Sequence, residues 1–318
     1  MLIIGASLLA CLCLAPAAAL ADSSPANAAK KKAKRSPKVL TEVAVATTVA
    51  EVNASAIATC PEKTRLVGGG FATQQVPAGG GLIDAHLVSE SRRLSDREWI
   101  VTGLRIDNGA PGNPVDLSSY AQCRKLIKKG GKRGRKASAA KKRGRRSNFK
   151  LSEESASITV SAPFAAGTAT ARCPGRQRAV AGGFSMGLNT IGAFVNFGFP
   201  MESFRSATAD WTATMLLFSP DPRTVTSYVY CAQVDAPERL GTAILPGTEG
   251  SVASALSEVC PRKRRLGGGG HRLQVPTPPL DFLPTPLESR PDESGWRTTA
   301  NQGTDGAATT IVSQGICL

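Results

Sequence analysis

The stretch Cys60-Pro61-Glu62-Lys63-Thr64-Arg65-Leu66-Val67-Gly68-Gly69-Gly70 is written three times in this chain. It returns as Cys173-Pro174-Gly175-Arg176-Gln177-Arg178-Ala179-Val180-Ala181-Gly182-Gly183, and again as Cys260-Pro261-Arg262-Lys263-Arg264-Arg265-Leu266-Gly267-Gly268-Gly269-Gly270. Every copy keeps the proline, a basic residue two beyond it, an arginine at the fifth position after the cysteine and a glycine pair at one offset. Each then carries a Glu-Ser pair (Glu90-Ser91, Glu202-Ser203, Glu288-Ser289), a single tryptophan (Trp99, Trp211, Trp296) and a closing cysteine (Cys123, Cys231, Cys317). Such a period marks a repeated supersecondary unit.

The residues around the repeat alternate as β-strands do. Ser55–Thr59, Thr168–Arg172 and Ala255–Val259 predict a strand running into Cys-Pro, where proline removes a ladder donor and opens a turn. Arg65-Leu66-Val67, Arg178-Ala179-Val180 and Arg265-Leu266 begin the returning strand. Glycines inside that strand predict a bulge or a close backbone approach under the tryptophan. Further strands hold the closing cysteine (Ser118–Cys123, Val225–Cys231, Thr310–Cys317), and one precedes each unit (Val43–Thr47, Ser157–Ser161, Thr242–Leu245). Helix-period stretches are scarce, so the expected class is all-β. The glycines do not form a phosphate loop, because no Lys-Ser/Thr and no helical pattern follows them.

Residues 2–21 are apolar and end in Ala19-Leu20-Ala21 before Asp22, which reads as a signal peptide, although no Lys or Arg precedes the apolar run. The competing transmembrane reading has about the minimum spanning length and must accommodate Pro16. Cleavage removes Cys11 and Cys13 and leaves six cysteines, two per repeat, a disulfide framework in an exported chain. Of the connectivities six cysteines allow, the repeat selects Cys60–Cys123, Cys173–Cys231 and Cys260–Cys317. With two histidines and no C-x-x-C spacing, neither zinc nor any other cofactor is expected.

The formal net charge of +15 points to a polyanion until the charge is located. Residues 30–38 hold 6 of the 39 Lys and Arg, residues 124–150 hold 14, and neither stretch has an acidic residue. Without those 20, 19 basic residues face 24 acidic ones, a balance of −5. Both stretches are too poor in apolar residues to offset their ordering entropy and are expected to be disordered. In the second, Lys128, Lys129, Arg133, Arg135, Lys141, Lys142, Arg143, Arg145 and Arg146 are the candidate polyanion contacts, acting by salt-sensitive adhesion. Lys132–Lys136 has the Arg-Gly-Arg core of minor-groove peptides without their prolines, and export argues against nucleic acid as the partner.

No catalytic residue is expected. Nucleophilic catalysis needs a positioned base, and the two histidines, His86 and His271, occupy unmatched repeat positions. His271 stands where Phe71 and Phe184 stand, which predicts a semi-exposed strand residue. Neither G-x-S-x-G nor H-E-x-x-H occurs. Glu90, Glu202 and Glu288 spread their acid evenly over the repeats, which suits a scaffold or multivalent binding better than one hydrolytic carboxylate pair. The Glu-Ser pairs are expected at turns. Trp99, Trp211 and Trp296 are expected to pack on the disulfides, with an exposed platform for sugar rings as the functional alternative.

The pattern resembles a repeat of uncharacterised secreted bacterial proteins, in which Cys-Pro-x-Gly-x-Arg-x-x-Gly-Gly-Gly is followed by Gly-Trp and a strand ending Tyr-x-x-Cys. Gly175, Gly295, Tyr120 and Tyr228 match that pattern, and Gln314 departs from it. The resemblance implies an extracellular β module and no ligand or activity. A three-repeat, cysteine-closed chain is also loosely similar in fold to the vitelline membrane outer layer proteins, which are β-prisms.

These readings combine into three tandem disulfide-closed β-sandwich-like modules joined by disordered linkers, with a single pseudo-threefold β-prism as the alternative. The expected boundaries are a signal peptide at 1–21, a basic arm at 22–40, modules at 41–123, 156–231 and 240–318, and linkers at 124–155 and 232–239. The expected function is non-enzymatic binding of envelope glycans or other polyanions by a secreted or cell-surface protein. The alternatives are a purely structural envelope component and a glycan hydrolase.

Overall fold

A computed structural model describes residues 39–48, 53–73, 76–77, 83–106, 115–125, 150–162, 165–187, 198–218, 221–261, 264–275, 284–293 and 295–318. The signal peptide, most of the basic arm and the nine lysines and arginines named as polyanion contacts lie outside the described residues.

Every regular element among the described residues is a strand. The first repeat gives β1 (Val39–Thr48), β2 (Asn53–Thr59), β3 (Thr64–Thr73), the short β4 (Val76–Pro77), β5 (Ile83–Arg93), β6 (Glu98–Ile106) and β7 (Val115–Lys125). The second gives β8 (Ser152–Val160), β9 (Ala165–Arg172), β10 (Arg178–Met186), β11 (Gly198–Ala207), β12 (Asp210–Leu217) and β13 (Arg223–Ala232). The third gives β14 (Glu238–Leu245), β15 (Val252–Leu256), β16 (Leu266–Gln274), β17 (Pro284–Asp292), β18 (Gly295–Gln302) and β19 (Thr309–Cys317). Strands β7 and β8 run into the stretch read as linker 124–155, and β14 begins inside 232–239.

Each repeat contributes two three-stranded half-sheets. The first contributes β1-β7-β3 and β2-β6-β5, the second β8-β13-β10 and β9-β12-β11, and the third β14-β19-β16 and β15-β18-β17. One disulfide ties the two halves of each repeat, Cys60–Cys123, Cys173–Cys231 or Cys260–Cys317, with Cα atoms 5.6 Å apart in all three. Each closes a loop of 57 to 63 residues, worth about 4 kcal/mol through the entropy it removes from the unfolded chain.

The half-sheets continue across the borders between repeats. Strand β3 pairs with β17, β5 with β10 and β11 with β16, which makes sheets of six, seven and six strands. The register is the same at each seam: Ser289 faces Phe71, Ser91 faces Phe184 and Ser203 faces His271. The three sandwich-like, disulfide-closed units are therefore present, and they are fused through shared sheets, the arrangement of the prism alternative.

Strands β3, β10 and β16 come together at two levels. A Cβ on Gly68 would touch Gly268 and Ala181 at 3.1 Å. Three residues on, the rings of Phe71, Phe184 and His271 meet edge to face, with centroids 5.8–6.3 Å apart. Both levels join equivalent positions in the same order, so the three strands run in one direction along a pseudo-threefold axis.

Candidate functional site

The glycines of the repeat are spent on packing. A side chain on Gly69, Gly182 or Gly269 would collide with the ring of Trp99, Trp211 or Trp296. One on Gly70, Gly183 or Gly270 would collide with the carbonyl of Ser289, Ser91 or Ser203 across the seam. The first glycine thus admits the tryptophan and the second admits the neighbouring repeat. A bulge precedes them in each copy, at Leu66/Gly68, Ala179/Ala181 and Leu266/Gly268.

The tryptophans are not sugar platforms. Trp99, Trp211 and Trp296 are at most 1% exposed, so no ring face is open to a ligand. Each indole Nε1–H donates to the serine of a Glu-Ser pair: Ser91 at 3.0 Å, Ser203 at 3.1 Å and Ser289 at 3.0 Å. Each tryptophan carbonyl accepts a bond from a buried serine on the closing strand, Ser119, Ser227 or Ser313. That serine stands four residues before the closing cysteine in every copy, a signal present in the sequence and overlooked there.

The Glu-Ser pairs correct the turn expectation. They lie inside β5, β11 and β17, at the seams, because the serine must face inward to the indole while the glutamate faces out. Each glutamate accepts a threonine hydroxyl on the next strand, Thr102 to Glu90 at 3.0 Å, Thr214 to Glu202 at 3.0 Å and Thr299 to Glu288 at 2.9 Å. Each threonine in turn meets a hydroxyl on the edge strand, Ser55, Thr168 or Ser254. Each glutamate also holds an arginine: Glu90 with Arg92 at 2.5 Å, Glu202 with Arg272 at 2.7 Å and Glu288 with Arg290 at 3.4 Å.

The arginines finish the cluster on an aromatic ring. Arg92 lies 5.5 Å from the centre of Tyr228, Arg290 5.3 Å from Tyr120 and Arg272 3.8 Å from Phe204. In two seams the arginine follows the glutamate by two residues and the ring sits on the closing strand. In the third, Phe204 takes the position two residues after Glu202, the arginine comes from β16, and Gln314 stands where the ring would be on the closing strand, while the cation–ring contact persists.

These clusters sit on the outer faces of the sheets. On the seven-stranded sheet the hydroxyl row is continuous by register, from Ser55 through Thr102, Glu90, Ser185 and Thr226 to Ser157. Six strands at about 4.8 Å spacing make it about 24 Å long. On the sheet that holds β11 and β16, Arg272 and Val312 interrupt the equivalent row.

His271 is not semi-exposed: it is 1% exposed, on the axis between Phe71 and Phe184. Burial lowers its pKa to about 4, against a bond to the Pro200 carbonyl at 3.2 Å that raises it. The neutral ring therefore donates from Nε2. His86 is buried as well, and burial with the nearby Arg105 lowers its pKa to about 4. A cavity of about 10 Å³ beside the axial rings, lined by the glycine pairs with Trp99 and Trp296, has room for about one water. Among the described residues no group of three or more His, Cys, Asp or Glu is placed to hold a metal, and no helix is long and apolar enough to cross a membrane. No family model matches the chain, and no curated protein sequence matches it.

Proposed function

We propose that this is an exported, non-enzymatic protein that binds envelope glycans or other polyanions at the cell surface or in the surrounding medium. The observation that carries this reading is the polar cluster of carboxylate, guanidinium and hydroxyls, set once at each seam on the outer face of a sheet. Three related weak sites on shared sheets favour multivalent attachment to a repeating polymer. The basic stretches at 30–38 and 124–150 add electrostatic attraction. Three disulfides and an apolar N-terminus suit an oxidising compartment.

Two features support a binding role over hydrolysis. The carboxylates of Glu90, Glu202 and Glu288 are each engaged by an arginine and a threonine, and both histidines are buried and neutral at ordinary pH. A purely structural envelope role is favoured by Arg272 and Phe204, which keep the seam contact from other strand positions without keeping its outer display.

Sedimentation of the full chain with purified cell wall, across a salt series, tests the proposal. Replacing the 14 basic residues of 124–150 by serine should weaken binding and flatten its salt dependence. Unchanged binding at low salt would refute the electrostatic part. A wild type that fails to sediment with wall or any anionic polymer would refute the binding function.

A further inference from the structure

We propose that the end of the molecule bearing the three Cys-Pro turns is a docking face for a linear anionic polymer, with Arg65, Arg178 and Arg265 as its central contacts. This rests on the polyanion reading above and assigns it to a surface of the folded body.

The fold gathers these three arginines. Each stands three residues before the point where β3, β10 and β16 converge at Gly68, Ala181 and Gly268. At about 3.3 Å per residue, each backbone lies about 10 Å from the convergence. Because the strands run the same way along the axis, the three positions ring one end of it. All three residues are exposed, and among the described residues none pairs with a carboxylate. Exposed Lys63 and Arg176 in the adjoining turns add to the charge.

Several acids near this end are paired with arginines, while Glu62, Glu153, Glu154 and Glu293 stand exposed. Asp96 pairs with Arg93, Asp210 with Arg172, Asp235 with Arg264 and Asp292 with Arg297. Glu62, exposed in the first turn, is the nearest uncommitted acid in sequence to Arg65. The chain also meets its two basic stretches here. Val39, the first residue of β1, faces Arg124, and Lys125, the last of β7, faces Thr64. Ser152, the first of β8, faces the disulfide-bonded Cys231. The flanks of both stretches are thus anchored at the end where the arginines lie. A guanidinium offers a planar fork that matches phosphate or carboxylate through two parallel bonds. Three such forks around an axis suit a polymer with an anionic group on each repeating unit.

Full-length protein titrated with inorganic polyphosphate, polygalacturonate and neutral dextran tests the assignment. The triple variant R65S/R178S/R265S changes exposed side chains only and should keep the wild-type melting temperature. It should bind the anionic polymer on the order of a hundredfold more weakly at 0.1 M salt and lower the salt slope by about 2–3. The triple lysine variant, which keeps charge and loses the fork, should retain most of the slope. Preference for polyphosphate or for polygalacturonate identifies the anionic group, and dextran should not bind. If R65S/R178S/R265S binds as the wild type does while serine replacement of 124–150 abolishes binding, this assignment is overturned and the proposed function stands. If the wild type binds neither anionic polymer, both are overturned. Tighter binding to duplex DNA than to either anionic polymer would also overturn it.

Discussion

His271 shows how one residue can break a threefold pattern without breaking the fold. It takes an aromatic position on the axis and makes the same edge contacts as its phenylalanine counterparts. It also carries a titratable ring into a buried site. The folded state holds that ring neutral down to about pH 4, whereas the ordinary value is 6.5. The unfolded chain therefore binds the extra proton first as pH falls, so the stability this difference represents is complete above 6.5 and is lost progressively toward 4. A shift of this size is worth about 3 kcal/mol. His271→Phe should reduce the loss of stability between pH 7 and pH 4 by about that amount, read from urea unfolding at both pH values. The loss due to His86, which is also lowered to about 4 by burial first and then Arg105, should remain. An equal loss in wild type and variant would contradict the neutral axial ring.

At the scale of the strand, the backbone itself is accounted for across the seams. The N–H of Arg93 donates to the Tyr230 hydroxyl at 2.7 Å, and the N–H of Arg205 donates to Gln314 Oε1 at 2.7 Å. The matching position of the third seam is Pro291, which has no N–H to satisfy. The serines at the seams repeat their role more strictly. Each of Ser91→Ala, Ser203→Ala and Ser289→Ala leaves a buried indole N–H without its acceptor and should cost about 1–3 kcal/mol. Similar losses from all three, against less than about 0.5 kcal/mol for exposed Ser155→Ala, would be read from denaturant midpoints. A negligible loss at any one of them would contradict the equivalence of the seams.

Much of this was legible in the sequence, for a physical reason. Cys, Gly and Trp have roles that few other residues can fill, so their spacing reports backbone geometry directly. The close approach under Trp99 could be read from Gly69 in this way, and the disulfide partners could be read from the repeat. The seam could not be read so easily. Pairing of β5 with β10 joins distant segments through only two facing residue pairs, and Glu-Ser is by composition a turn sequence. The spacing was visible, with Ser91 and Ser203 each eight residues before a tryptophan and Ser289 seven before, but it does not by itself reveal the serine–indole bond. The polar seam clusters were legible only as three glutamates, because their arginines and rings come from different strands in different copies.

At the scale of the whole molecule, shared sheets make the three repeats one cooperative body. No repeat keeps its own pair of sheets, since every sheet joins three strands of one repeat to three or four of a neighbour. Gly183 sits at the seam between the first and second repeats, where a side chain would strike the Ser91 carbonyl and Arg92. Calorimetric unfolding of the full chain and of Gly183→Val tests this most directly. We predict a single transition in both proteins, with calorimetric and van't Hoff enthalpies equal and the midpoint lowered in the variant. Several separable transitions, with only one of them displaced by the substitution, would contradict it.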